Sequence, residues 1–160
     1  PSAATESSPR VPINLSHALS RLHITVRNDT ANTSAYHFGE MVVNNVYTSG
    51  YYYFGSNSVK ESNLGSVSVK PDHNAGEPYV GDFLIVPSSS YISVRLSLPG
   101  TDFEDINLPS RRYEMGRQYN VEVVINIQKE LVISNVWISK WQTMNKDPLE
   151  MFADNKIDGN

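Results

Sequence analysis

The sequence predicts an all-β protein in which short strands form a sandwich. Apolar and polar residues alternate at period two in several stretches, as expected for strands with one buried face. Turn-forming residues separate these stretches. No segment has the apolar periodicity of a long amphipathic helix. The predicted strands cover residues 11–15, 22–27, 40–47, 51–55, 64–69, 79–86, 91–98, 118–128 and 130–141.

The strands of the first half are predicted mainly from alternation and from β-favouring residue types. Residues 11–15 are mostly apolar, and residues 22–27 alternate strictly between aliphatic and polar side chains. Residues 40–47 are rich in valine, and residues 51–55 are mainly aromatic. In residues 64–69, valine alternates with serine before a Lys-Pro-Asp turn.

The strands of the second half include the clearest one. Residues 79–86 end at a proline, and residues 91–98 alternate up to a Leu-Pro-Gly turn. Residues 118–128 show the longest alternation in the chain. In residues 130–141 the apolar residues change from odd-numbered to even-numbered positions, so strict alternation would move them to the other face of the strand. This predicts a β-bulge near Ser134-Asn135 or an edge position.

Length and composition limit the class of protein. The 160 residues, of 17.9 kDa, suffice for one domain with its own core. A net charge of −4 with 19% charged residues excludes a basic nucleic-acid-binding surface as the main role. The chain has no cysteine, and its longest apolar run, residues 83–86, is far shorter than the roughly 20 residues of a membrane-spanning helix. We therefore expect a soluble domain that binds no nucleic acid.

No catalytic or cofactor motif is present, so we predict neither an enzyme nor a cofactor. Asp102, Glu104 and Asp105 could supply the paired carboxylates of a glycosidase, but their turn-rich surroundings favour a solvated loop. The histidines lack metal-binding spacing and are interpreted as surface side chains without a metal. They are His17, His23, His37 and His73.

Four consecutive aromatic residues, Tyr51, Tyr52, Tyr53 and Phe54, are the most conspicuous local feature. Strand alternation places Tyr51 and Tyr53 on one face and Tyr52 and Phe54 on the other, so one pair is expected in the core. The exposed pair could stack on a sugar or contact another subunit. Cross-strand packing at a sandwich edge is the favoured interpretation.

The sequence predicts one domain flanked by a short segment at each terminus. Residues 1–10 are small and polar and predict a flexible N-terminal segment, and residues 143–160 form a polar C-terminal tail. The β-sandwich domain is expected to cover residues 11–142. Trp137 and Trp141 are interpreted as packing at the end of this domain.

Three segments have a characteristic order and spacing. They are Ile-Asn-Leu-Ser-His-Ala-Leu-Ser-Arg-Leu at residues 13–22, residues 83–87 with 92–96, and residues 113–121 with the strand segments 131–133 and 138–141. Together they resemble the second domain of the fimbrillin family of Bacteroidetes surface proteins, which includes type V pilus subunits and Mfa-like proteins. The resemblance covers roughly residues 11–142.

The resemblance implies a transthyretin-like, Greek-key β-sandwich of about seven strands. It also implies a non-catalytic fimbrial (pilus) subunit or adhesin at the cell surface, in a fimbrium at the outer membrane, with a role in cell adhesion. The implied partners are neighbouring fimbrial subunits and a host or bacterial surface glycan or protein. Membrane attachment would require an upstream lipidated segment that is not part of this chain.

Subunits of this family are expected to assemble by β-strand addition after an arginine-specific protease trims a precursor strand. The candidate strand-exchange residues are Leu131 and Ile133 in the last strand, with Leu149 and Met151 in the tail. The tail has few alternating apolar residues, so it is a poor donor strand, which favours a tip, anchor or non-polymerising adhesin over a stalk subunit.

Two further hypotheses concern sugars. Asp29-Thr30-Ala31 is similar to a short O-glycosylation motif of this bacterial group, which makes Thr30 a candidate for modification. As an alternative function, the domain could be a carbohydrate-binding module in which Tyr51, Tyr52, Tyr53 or Phe54 stacks on sugar rings.

Overall fold

The computed structural model describes residues 16–32, 34–70, 72, 74–98, 101–102 and 105–141. These residues form strands and no helix. In chain order the strands are β1 (Ser20–Asn28), β2 (Met41–Tyr47), β3 (Gly50–Tyr53), β4 (Ser58–Glu61), β5 (Leu64–Val69), β6 (Tyr79–Ile85), β7 (Ser89–Ser90), β8 (Ser93–Leu98), β9 (Thr101–Asp102), β10 (Ile106–Asn107), β11 (Arg111–Arg112), β12 (Arg117–Ile125) and β13 (Leu131–Lys140). The predicted strand at residues 11–15 and the two predicted terminal segments lie outside the described residues.

Most of the strands belong to two sheets. The first has the order β13-β12-β1-β6, in which β1 runs parallel to β12 and the other pairs are antiparallel. The second has the antiparallel order β10-β8-β2-β5, with β9 paired to β8. Two ribbons, β3–β4 and β7–β11, are separate from these sheets.

Both sheets contribute to one hydrophobic core. In β1, Leu22, Ile24 and Val26 are fully buried and alternate with half-buried polar residues. Met41 of β2 and Leu96 of β8, in the other sheet, are also fully buried and belong to the same cluster. Because the inward face of each sheet is apolar, the sheets pack face to face. The predicted all-β sandwich is therefore confirmed.

The structure divides the chain into more strands than the expected seven. Thirteen strands are present in the described part, but β7, β9, β10 and β11 have two residues each. Such short elements are too small to produce a visible alternation in the sequence. The transthyretin-like topology stays a prediction.

The predicted irregularity of the last strand is confirmed. In the β12–β13 pairing, Glu122 is opposite Asn135 and Val123 is opposite Ile133, so Ser134 is an extra, unpaired residue. The Ser134 hydroxyl donates a hydrogen bond of 3.2 Å to the Glu122 carbonyl. Among the described residues, strand β13 also lies at the end of its sheet. The bulge and the edge position, which the sequence predicts as alternatives, occur together.

The first and last described segments meet beside a turn. The His17 imidazole stacks on the Trp141 ring with a centroid distance of 3.6 Å and an interplanar angle of 7°. The Trp141 N–H donates to the Gly116 carbonyl, and the Gly116 N–H donates to the Leu19 carbonyl. The Nε2 atom of His17 is buried, so its interpretation as a surface side chain is wrong. The packing of Trp141 at the end of the domain is confirmed, whereas Trp137 is 46% exposed, so the same interpretation is wrong for Trp137.

Candidate functional site

The β3–β4 ribbon lies against the sandwich at one glycine. A Cβ atom on Gly50 would lie 2.8 Å from the Lys60 carbonyl oxygen and 3.1 Å from Val86 Cγ1. Because glycine has no side chain, the ribbon can approach Val86 this closely. Directly opposite residues share a face of the ribbon, so Gly50 and Tyr52 lie on the face towards Val86, and Tyr51 and Tyr53 lie on the other.

The aromatic run is not part of the core. Tyr51, Tyr53 and Phe54 are 65%, 50% and 89% exposed, and Tyr52 is half-buried. The expectation that one pair would be buried in the core is therefore wrong. The reason is that β3 pairs only with β4, in a ribbon outside the two sheets, so its faces are not enclosed by the sandwich. Tyr52 packs edge-on against Phe54 at 4.9 Å and donates a hydrogen bond to Asn57 Oδ1.

An open cleft of about 460 Å³ lies between the β3–β4 ribbon and the β7–β11 ribbon. Segments distant in the sequence line it: the β3–β4 turn with β4, the segment around β7, and residues 112–115, which include the last residue of β11. Its lining residues are Asn57, Ser58, Val59, Glu61, Pro87, Ser88, Ser89, Arg112, Tyr113, Glu114 and Met115.

Tyr113 is the most buried aromatic residue of this cleft. Its side chain is 2% exposed and packs edge-on against Tyr119 at 4.7 Å. Burial raises the pKa of Tyr113 to about 12, Arg111 opposes this rise, and Tyr119 adds to it. The Tyr113 hydroxyl has no hydrogen-bond partner among the described residues. A nearly buried polar group in the lining of a cleft is suited to binding a polar ligand.

The turn between β3 and β4 also contributes to the cleft lining. Asn57 has a left-handed backbone with φ of 47°, a conformation that asparagine adopts more readily than most residues. This turn connects β3 to β4 and thereby presents the Asn57 side chain to the cleft. No catalytic or ligand-binding motif in the sequence marks Asn57, Tyr113 or the charged cleft residues. The Gly-Ser-Asn sequence at residues 55–57 is the one local signal that could have located the turn.

The edge strand β13 forms a second candidate surface. Leu131 and Ile133, two of the predicted strand-exchange residues, lie half-buried on this strand. Ile138 is opposite the buried Tyr119, so it faces the sandwich interior, yet it is 52% exposed. Strand β10 of the other sheet contacts β13 but has only two residues. The predicted residues Leu149 and Met151 lie outside the described residues.

The outer face of β13 is also partly apolar. Val132 and Trp137 are 44% and 46% exposed. An edge strand with exposed apolar side chains and an unpaired backbone is a typical surface for pairing with another chain. Among the described residues, β13 pairs only with β12, so its other edge is open to such pairing.

Thr30 lies in an exposed turn after β1. Its N–H donates to Asp29 Oδ1 at 2.7 Å, and the Asn32 N–H closes the turn on the Asp29 carbonyl at 2.9 Å. The position is accessible to a modifying enzyme, and O-glycosylation of Thr30 stays a prediction.

The histidines and acidic residues do not form a metal site in the described part of the chain, where no cluster of three potential ligands occurs. His23 contacts Asp82 at 2.8 Å, and Arg21 contacts the same oxygen at 2.7 Å. Partial burial tends to raise the pKa of Asp82, but hydrogen bonds from His23 and Arg21 outweigh it and lower the pKa. His37 is exposed, and His73 lies outside the described residues.

Of the carboxylates considered for a glycosidase, the structure describes only one side chain, so it shows no pair. Asp105 is held by Arg95 Nε at 2.5 Å, and its other oxygen accepts hydrogen bonds from Ser93 and Asn44. These contacts attach the loop to the outer face of the second sheet. Glu104 lies outside the described residues, and the side chain of Asp102 is not described either.

Comparison with protein families gives one match. A family model described as fimbrillin-like matches residues 2–141 of this chain. No curated protein matches the chain. None of the described residues belongs to a helix long and apolar enough to cross a membrane.

Several solved structures have a similar fold. Candidate cell adhesion proteins from Bacteroides ovatus and Bacteroides uniformis align with TM-scores of 0.61 at 10% and 17% identity, each over 79% of this chain. One from Bacteroides fragilis aligns with a TM-score of 0.54 at 17% identity, over 82% of this chain. The alignments cover 46%, 52% and 48% of those three proteins. The chain therefore spans about half the length of these structures, and the likeness shows the fold.

Proposed function

The chain belongs to the fimbrillin-like family, and on this premise we propose that it is a structural domain of a fimbrial subunit that contributes to cell adhesion. The family match over residues 2–141 is the observation that carries the proposal. The proposed location is a fimbrium at the cell surface, attached at the outer membrane through a segment outside this chain. The proposed partners are neighbouring fimbrial subunits, and the proposed role requires no catalysis.

We further propose that assembly uses β-strand addition, with β13 as one participating edge. The open backbone edge of β13 could form a ladder with a strand from another subunit. The half-exposed, inward-facing Ile138 supports this idea because an added strand would cover it. Leu131 and Ile133, on the same inward face, would extend the apolar contact. The tail residues Leu149 and Met151 stay candidate strand-exchange residues, in a tail that has few alternating apolar positions.

An inward charge on β13 tests this assembly mode. The variant Ile138→Lys is expected to remain folded, because the side chain is already 52% exposed. An added strand would bury the new ammonium group, so we expect the variant's content in purified fimbriae to fall by about tenfold or more. Immunoblotting of fimbriae from cells that express the full-length protein measures this content.

The matched control is Val132→Lys, on the same strand but on the outer face, where the valine is 44% exposed. A lysine there stays in solvent when a strand is added, and we expect assembly at the wild-type level. Thermal unfolding of both variants checks that each is folded. Normal assembly of folded Ile138→Lys, or equal loss with Val132→Lys, would contradict the proposed use of this edge.

A further inference from the structure

The cleft between the two ribbons contains polar groups whose bonding capacity is not used within the described residues. The Tyr113 hydroxyl has no partner there, although its side chain is 2% exposed. Asn57 Oδ1 accepts a hydrogen bond from Tyr52, which orients the amide, while its Nδ2 donors have no described partner. Arg112 forms no ion pair with a described residue. The lining therefore offers several donors, and the hydroxyl can also accept.

The charged groups of the cleft indicate the charge of the ligand. Glu61 and Glu114 line it together with the single cation Arg112. Glu114 also lies 3.7 Å from Arg117, in an exposed pair. An anionic ligand would meet two carboxylates, whereas a neutral polyol can donate hydrogen bonds to carboxylates and accept them from a guanidinium group. The donor and acceptor set thus favours a neutral, hydroxyl-rich ligand.

Two exposed aromatic rings lie on the ribbon beside the cleft, although neither is among the residues that line it. Tyr53 is directly opposite Ser58, a lining residue, so their Cβ atoms are about 5 Å apart on the same face of the ribbon. Tyr51 lies two residues away on that face, and both rings are at least half exposed. A flat, exposed ring beside hydrogen-bonding groups can cover the C–H face of a sugar while the polar groups bind its hydroxyls.

We propose that this cleft binds a short neutral oligosaccharide, with Tyr113 and Asn57 binding hydroxyl groups and Tyr53, beside the cleft, stacking on a sugar ring that extends over the Ser58 face of the ribbon. An extended peptide fits the observations less well. Strands β7 and β11 have two residues each, so this side of the cleft offers few backbone groups for a ladder. The site goes beyond the proposed structural role, because a fimbrial domain can assemble without a sugar ligand.

The test uses the full chain, displayed as a tetramer on streptavidin, on an array of neutral and sialylated oligosaccharides. Two variants each remove one proposed contact: Tyr113→Phe deletes only a hydroxyl in the cleft lining, and Tyr53→Ala deletes the proposed stacking ring beside the cleft. Tyr91 provides matched controls, because it is 77% exposed but does not line this cleft. Tyr91→Phe and Tyr91→Ala repeat the same chemical changes elsewhere.

We expect wild type to bind at least one neutral oligosaccharide, and each cleft variant to bind it about tenfold or more weakly in solution titration. Both Tyr91 variants should keep wild-type affinity. A blank array, exclusive binding of sialylated glycans, or equal affinity of wild type and cleft variants would overturn the proposal. Binding of an extended peptide in the cleft instead of a sugar would also overturn it. Fimbrial assembly is measured separately, so failure here leaves the proposed structural role intact.

Discussion

Replacing Tyr119 with alanine is expected to lower the free energy of unfolding by about 3–5 kcal/mol. The side chain is 1% exposed and packs edge-on against Tyr113 at 4.7 Å. Its hydroxyl accepts a hydrogen bond of 2.8 Å from the Glu114 N–H and donates one of 3.1 Å to the Arg112 carbonyl. Alanine would therefore leave a cavity and two unpaired backbone groups. Urea unfolding, followed by circular dichroism, measures the loss.

Tyr119→Phe separates the two contributions. The ring and its packing stay, but the backbone of Arg112 and Glu114 loses its partner, which should lower the free energy of unfolding by about 1–3 kcal/mol. Tyr91→Ala is the surface control, because Tyr91 is 77% exposed, and it should change stability by less than about 0.5 kcal/mol. If Tyr119→Phe were as stable as wild type, the hydroxyl would not hold the segment that lines the cleft.

Raising the pH from 10 to 12 is expected to remove about 2–3 kcal/mol of stability for each of two buried tyrosines, Tyr79 and Tyr113. Burial, with the Glu40 carboxylate, raises the pKa of Tyr79 from 10.0 to about 12, and burial raises the pKa of Tyr113 to the same value. In the unfolded chain each hydroxyl ionises near pH 10, whereas in the folded protein each stays neutral up to about pH 12. The stabilisation is therefore complete below pH 10 and is lost as the pH approaches 12.

Urea unfolding at several pH values between 8 and 12 measures this loss. The comparison uses variants that lack only the buried hydroxyls, so that every other contribution to the pH dependence is shared with wild type. Tyr79→Phe and Tyr113→Phe should each make the alkaline loss of stability smaller by about 2–3 kcal/mol. Equal pH dependence in wild type and in both phenylalanine variants would show that burial does not suppress these ionisations.

The longer strands of the sandwich can be predicted from sequence because burial of one face requires period-two alternation. The strand predicted at residues 118–128 shows the limit of predicting strand ends from alternation. Ile127 continues the alternation in the sequence but is 61% exposed, in a turn closed by hydrogen bonds between Asn126 and Lys129. Lys129 has a φ of 65°, which ends the extended conformation. Alternation thus identifies the strand correctly but extends it too far.

The cleft could not be predicted in the same way. Its residues come from the β3–β4 turn and from the segment after β11, which are more than fifty positions apart in the sequence. Neither Asn57 nor Tyr113 belongs to a catalytic or ligand-binding motif, and only the three-dimensional structure shows that they line the same cleft. The aromatic run starts in β3, next to the cleft-lining strand β4, but none of its residues lines the cleft. Its expected burial was wrong because alternation cannot show that β3 lies outside the two main sheets.

Assembly by strand addition is tested most directly by trimming the full-length protein that contains this chain with an arginine-specific protease. Gel electrophoresis in detergent without heating, with electron microscopy of the same sample, then shows whether polymers form. Wild type and Val132→Lys should give a heat-sensitive ladder and filaments, and Ile138→Lys should give monomer. Monomer from trimmed wild-type protein, or a normal ladder from Ile138→Lys, would contradict assembly through the β13 edge.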